Sequence, residues 1–420
     1  MARQWIKNWD QIARSPARQD ILKIAEVGLR AVDTSEAIKN NIGLDGDILS
    51  VKGQTFDLKQ FDSLKIVALG KASAEAAAAL EEILGSRISQ GVSLGITVSP
   101  SCQIIKNYKG SHPHPSSLNV EASGEIKKLA ESASENDLVL VVVSGGGSAL
   151  LCWPQSECDQ GQELYNKFLT GGGTIDELNT VRKHISLLKG GGLAKALYPA
   201  TVISLILSDI PGDKYELVAS GPTFFDESTV EDAKKIITKY GLGDFELIET
   251  PKEKKYFEKV SNIPFISNTL ALNAMAKEAA AQGFKPLIIS SEMYDPQDKA
   301  IEKIFEAAGK KTAILAGGET ALKITRSGGT GGRNMNLSMY AIKHLQEGDV
   351  FLSLASDGMD NSDSAGALVD METKEKSSNL NFNDYQKRFD CYTFFEKTHD
   401  LLFTGPTGAN VSDLMILLRS

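Results

Sequence analysis

The chain has 420 residues, 42% of them hydrophobic and 24% charged, with a formal net charge of −9. That length exceeds what one hydrophobic core usually serves, so two domains are expected. The acidic balance excludes the broad basic face that a nucleic-acid polymer needs, whereas a small phosphorylated ligand requires only a few local donors.

The first twenty residues contain no apolar core of a secretory signal, and apolar runs such as 138–143 are too short to span a bilayer. A soluble, cytoplasmic protein with a small-molecule substrate is expected, with no nucleic-acid and no membrane partner; a homo-oligomer is left open. Short apolar runs then alternate with amphipathic stretches. "LKIVALG" (64–70) reads as a buried strand, followed by a helix that Gly85 ends. "VSLGITV" (92–98), "LVLVVVS" (138–144) and "TVISLIL" (201–207) are further strands, and 117–134 is helical. This alternation predicts parallel βαβ units, an α/β fold with a Rossmann-like parallel sheet covered on both faces. The pattern restarts after a charged stretch at 249–262: "PFISN" is strand-like, and a helix over 269–282 follows Asn268 as its cap. The domains are therefore set at 1–245 and 246–420, the second being a smaller α/β unit.

Four cysteines, Cys102, Cys152, Cys158 and Cys391, form no CxxC pair and read as free thiols. The five histidines form neither HExxH nor a partner to GxSxG, so zinc hydrolysis and acyl transfer lack local support.

The chemistry gathers at glycine loops after strands. "VVVSGGGSALL" places Ser144, Gly145, Gly146, Gly147 and Ser148 at the carboxyl end of a strand, where bare amides suit an anion. A helix beginning near Ser148 would add partial positive charge. GxGxxG fails there, because Leu150 stands at the third glycine, and no Walker A pattern occurs in the chain. Lys71 follows another strand. Asp209 and Asp213 in "SDIPGD" suit either Mg²⁺ or Asx-type turn bonds. In 317–336 a strand, a glycine turn and a second strand lead to "GGTGGRN", with Asn334 as helix cap and Arg333 beside that helix start. Asp357, Asp360 and Asp363 gather in a polar loop before a further helix, and "FTGPTGANVSDLMILL" (403–418) reads as a glycine loop entering a terminal helix capped near Asn410.

With these loops assembled, the chain resembles the glycerate 2-kinase family, whose C-terminal part is the MOFRL domain. The matching stretches run in order from "LGKAS" through "HPHPSSLNVEASGEI", "VSGGGSALL", "TIDELNTVRKHISLLKGG", "SDIPGDKYELVASGPT" and "GGETALKITRSGGTGGRN" to "SDGMDNSDSAGA" and "TGPTGANVSDL". The resemblance implies two α/β domains with the site in a cleft, ATP as phosphoryl donor, Mg²⁺, and transfer to the 2-hydroxyl of D-glycerate. Lys71 and Arg333 match the family's lysine and arginine. Lys71, Arg333 and Asp209 are the expected catalytic groups. Ser144–Ser148, Gly332, Asn334, Thr407 and Asn410 are the expected substrate and phosphate contacts, and Asp213 and Asp357 the expected metal ligands. The chain departs from the family pattern at Ser116, Gly192, Asn336 and 361–362, which opens the acceptor to another hydroxy or sugar acid. A hydroxypyruvate reductase is the rival reading, and it lacks a dinucleotide fingerprint.

Overall fold

The computed structural model describes residues 4–322 and 328–420, the side chains of 169–171 excepted. The chain divides into two compact units, one of residues 34–208 and 214–265, the other of 1–33, 209–213 and 266–420.

The first unit holds a small antiparallel sheet of β1 (Ile42–Asp45), β2 (Ile48–Val51) and β3 (Gln54–Asp57). Its main sheet comprises β4 (Ser63–Leu69), β5 (Ile88–Gly95), β6 (Ile105–Lys109), β7 (Asp137–Ser144), β8 (Thr201–Leu207) and β9 (Val260–Ile266). The strand order is β6-β5-β4-β7-β8-β9, and β6, β5, β4, β7 and β8 run parallel. The expected Rossmann-like α/β sheet is present. β7, "DLVLVVVS", is buried at every position, as a strand covered on both faces requires. The helix Ser73–Leu84 stops at Gly85, whose φ of 50° is open to glycine without a Cβ clash.

The second unit contains β10 (Lys285–Ser290), β11 (Thr312–Gly318), β12 (Asp349–Ala355), β13 (Gly366–Asp370), β14 (Leu401–Leu402) and β15 (Asp413–Arg419), in the order β10-β11-β15-β12-β13-β14. β10 and β11 pair in parallel, whereas β15 runs antiparallel to both β11 and β12. This corrects the terminal helix expected after Asn410. "DLMILL" has no helical period, and as a central strand it is buried throughout. Residues after Asp363 likewise enter β13 before the helix Met371–Lys376. The second strand expected after the Gly317–Gly318 turn falls largely on 323–327, outside the described residues.

The unit boundaries also differ from 245/246. β9 completes the first sheet, so the chain passes to the second unit at Phe265/Ile266. The N-terminal helix Pro16–Ala31 belongs to the second unit. It lies so close to the helix Asn268–Ala281 that a Cβ on Gly28 would stand 2.7 Å from Met275 Sδ. Its buried Arg18 donates through Nε and Nη2 to Asp370 at 2.6 and 2.7 Å and through Nη1 to Asp400 at 2.8 Å. Periodicity along the chain does not report such a long-range ion cluster.

Candidate active site

In the first unit the loop after β7 is fastened to the loop after β4. Ser144 Oγ donates to Leu69 O at 3.0 Å and accepts from the Ala72 amide at 3.2 Å, and the Lys71 amide donates to Gly145 O at 2.8 Å. The Ser144 hydroxyl is thus engaged in holding two strand ends together. Gly146 has φ 79°, and a Cβ there would lie 3.0 Å from Lys71 Cγ and 3.3 Å from His112 Cδ2. The bare position serves both the left-handed turn and the passage of the lysine stem over the loop. No ion pair holds the Lys71 ammonium among the described residues. Partial burial, then the charges of Lys71 and His114, hold the His112 imidazole below its ordinary pKa. Ser148 Oγ shares a 2.8 Å hydrogen bond with Ser220 Oγ, which donates on to Asn179 Oδ1 at 3.2 Å. The helix that follows is a single turn, Gly147–Leu150, so the expected helix-dipole contribution is small and the donors here are loop amides and side chains.

In the second unit, Glu319, Arg333, Asp357, Asn361, Asn410 and Asp413 line a cavity of about 600 Å³. Pairing of Gly318 and Ala355 with Asp413 sets Asp413 at the end of its strand beside the carboxyl ends of β11 and β12. Arg333 Nη1 reaches Glu319 Oε2 at 3.0 Å and Asp413 Oδ2 at 3.1 Å. Arg333 is the first residue of the helix Arg333–Ile342, with Gly332 as its N-cap, and Asn334 therefore lies inside the helix rather than capping it. The cap is supplied from another loop. Asp360 accepts from the amides of Asn334 and Met335 at 3.0 and 2.8 Å, while Asn334 Nδ2 donates to Asp413 Oδ1 at 2.8 Å. Burial raises the pKa of both carboxyls, that of Asp413 to about 7 against the lowering effect of Asn334 and Arg333. Asp413 and Glu319 were not among the expected site groups, and Asp360, expected with Asp357 and Asp363 in the polar loop, serves as the helix cap. Asp413 in particular is hidden by reading its strand as a helix.

Asp357 lines the cavity and accepts from the Met359 amide at 3.0 Å. Asn410, exposed at the rim, accepts from the Ser412 amide at 3.2 Å. Thr407 is buried, and its hydroxyl is committed to Ser356 O at 2.6 Å, which pins the loop.

Asp209 and Asp213 follow β8 but pack with the second unit. Asp213 Oδ2 accepts from Thr269 Oγ1 at 2.9 Å, while its buried Oδ1 has no hydrogen-bond partner among the described residues. An unsatisfied buried carboxylate oxygen fits Mg²⁺, which commonly takes one or two carboxylates with the rest of its shell from phosphate and water. No group of three or more histidine, cysteine or acidic side chains forms a closed metal site among the described residues.

Three departures from the family pattern occupy structural positions. Ser116 and Asn119 form the capping box of the helix Ser117–Glu131. A Cβ on Gly192 would fall 2.1 Å from Leu187 O, so this backbone admits no side chain there. Asn336 is buried in contact with Gln297 and Cys391. Only Asn361, which donates to Gly331 O at 3.0 Å, faces the cavity.

The domain-of-unknown-function family DUF4147 matches residues 20–249 and the MOFRL family matches 312–413. The chain is 35% identical over 390 residues to the D-glycerate 2-kinase of Thermotoga maritima, covering 86% of this chain and 92% of that one. It is 32% identical to the glycerate 2-kinase of Pyrococcus horikoshii, with 94% and 98% covered. A protein of Agrobacterium vitis named as a putative hydroxypyruvate reductase is 33% identical over 84% of this chain and 98% of its own. The crystal structure of glycerate kinase from Thermotoga maritima superposes with a TM-score of 0.86 at 32% identity, over 96% of this chain and 99% of that one. The ordered motifs, the two α/β units and these full-length similarities place the chain in the glycerate 2-kinase family.

Proposed function

We propose that the protein phosphorylates the 2-hydroxyl of D-glycerate, with ATP as donor and Mg²⁺ as the accompanying ion. The observation that carries the reading is likeness over nearly the whole chain to glycerate 2-kinases, together with a lysine, without an ion pair among the described residues, laid across a bare glycine loop. Phosphoryl transfer asks the protein mainly for positioning and charge stabilisation. Lys71 and the loop amides of 145–147 supply these in one unit; Arg333 supplies a planar donor fork in the other. Asp209 is assigned to the acceptor hydroxyl. Asp213, through its unpaired oxygen, and Asp357 are assigned to Mg²⁺, which when bound neutralises phosphoryl charge. Gly332 and Asn410 line the Arg333 cavity, and Asn334 braces Asp413 behind it.

A reductase requires a dinucleotide crevice with a glycine-rich turn entering a full helix. Here Leu150 occupies the third glycine position and the helix is one turn long, which disfavours that reading. The test is phosphorus NMR of the product formed from Mg²⁺-ATP and D-glycerate. A resonance of 2-phosphoglycerate supports the reading, and 3-phosphoglycerate or no phosphoester counts against it.

A further inference from the structure

Three buried or partly buried lysines of the first unit have carboxylate partners: Lys65 pairs with Asp137 at 2.8 Å, Lys183 with Asp226 at 2.9 Å and Lys189 with Glu157 at 2.5 Å. Arg182 differs from them. It sits on the helix Ile175–His184, half-buried, and no carboxylate pairs with it among the described residues. Its polar contact is one long bond from Nη1 to neutral Asn179 Oδ1 at 3.5 Å, and its guanidinium lies 5.7 Å from the Tyr165 ring centre. Burial pushes its pKa below the ordinary arginine value. A guanidinium withdrawn from water without a counter-ion is costly unless an anion arrives to complete it.

The surroundings specify which anion. Arg182 lines a hollow of about 30 Å³ with His114, Ser148, Cys152 and Tyr165. That narrow space suits a small polar group and not a nucleotide base. Ser148, the last residue of the glycine loop, reaches Asn179 through Ser220. Ala219 and Ser220 hold φ of 52° and 58°, a strained backbone pressed against that loop. A planar two-toothed acceptor matches the donor fork of arginine.

We infer that Arg182 binds the carboxylate of the acceptor acid beside Ser148, and so sets the enzyme's preference for hydroxy acids over neutral alcohols. This rests on the kinase reading above. The test compares wild type with Arg182→Gln and Arg182→Lys, varying D-glycerate and Mg²⁺-ATP separately, with a second arm that follows the thermal midpoint on adding D-glycerate without nucleotide. The expected result is a roughly 10- to 100-fold rise in KM for D-glycerate in the Gln variant, as for loss of a charge-assisted pair. The Lys variant should recover part of it, the KM for ATP should stay within about twofold, and the D-glycerate-induced thermal shift should disappear in the Gln variant. An unchanged D-glycerate KM and thermal shift, or an equal rise in both KM values, overturns the inference. If the Gln variant does not fold, the Lys variant decides: a D-glycerate KM equal to wild type overturns it. A wild type that shows no ADP release sinks the kinase reading instead, while its thermal shift with and without Arg182 still decides the carboxylate site.

Discussion

Arg333 Nη1 stands 3.1 Å from Asp413 Oδ2, while the other oxygen of the same carboxylate accepts from Asn334 Nδ2 at 2.8 Å. One buried acid therefore holds Arg333 of the cavity wall and its buried neighbour Asn334. Burial pushes its pKa up to about 7, above the roughly 3.9 of an unfolded aspartate. The folded state binds the proton more tightly, so this group's contribution is fully present below pH ~4 and is lost as pH rises through about 7. Asp413→Asn removes that dependence. Urea unfolding at pH 5 and pH 8 should find wild type losing stability relative to the variant at the higher pH. A constant difference would contradict the assignment.

Loss of the fork itself should be severe. Arg333→Ala is expected to lower kcat by roughly 10²- to 10³-fold, the scale of removing a donor that acts on developing charge. Single-turnover ADP formation checks this, and a change confined to the KM for ATP would reduce Arg333 to a binding role.

Gly146 tests the lysine crossing. Gly146→Ala places a Cβ 3.0 Å from Lys71 Cγ at a φ of 79°. Strain of about 1–3 kcal/mol is expected together with displacement of the Lys71 stem. Turnover should fall by more than the stability loss explains, and Lys71→Ala should add little further loss in the double variant.

The N-terminal helix should be inseparable from the second unit. Arg18→Ala leaves Asp370 buried without its cation, while Asp400 keeps Arg14 at 2.6 Å, and should cost about 3–5 kcal/mol. A fragment of 266–420 alone should fail to give a cooperative unfolding transition. A stable fragment would show that residues 1–33 are dispensable there.

The departures from the family pattern separate by position. Ser116→Asp keeps a capping oxygen and should leave activity within about twofold, because either residue type caps well. Gly192→Arg should destabilise the fold, since its Cβ meets Leu187 O. Substitution of Asn361 is the change expected to alter the ranking of acceptor acids without unfolding the protein, as read from kcat/KM across an acid series.

The sheet of the first unit was legible because its strands are continuous apolar runs, such as β7, separated by helices with visible stops, such as Gly85. β15 was not, because a strand buried at six consecutive positions carries no alternation that distinguishes it from a helix segment. Asp413 was lost with it. Arg333, Asp357 and Asn410 do reach one cavity, and Lys71 does meet the glycine loop. Thr407 and the Ser144 hydroxyl turn out to be tied to backbone groups, a role that only the three-dimensional hydrogen bonds reveal. Arg182 was passed over because an arginine on an ordinary amphipathic helix reads as a solvated one, and the missing counter-charge is visible only after packing.

The most direct test of the central claim is ADP release by the purified protein with Mg²⁺-ATP and a panel of D-glycerate, L-glycerate, tartronate and larger sugar acids, alongside NADH with hydroxypyruvate. ADP release with D-glycerate as the preferred acceptor is the predicted result. NADH oxidation without ADP release from any acid would contradict it.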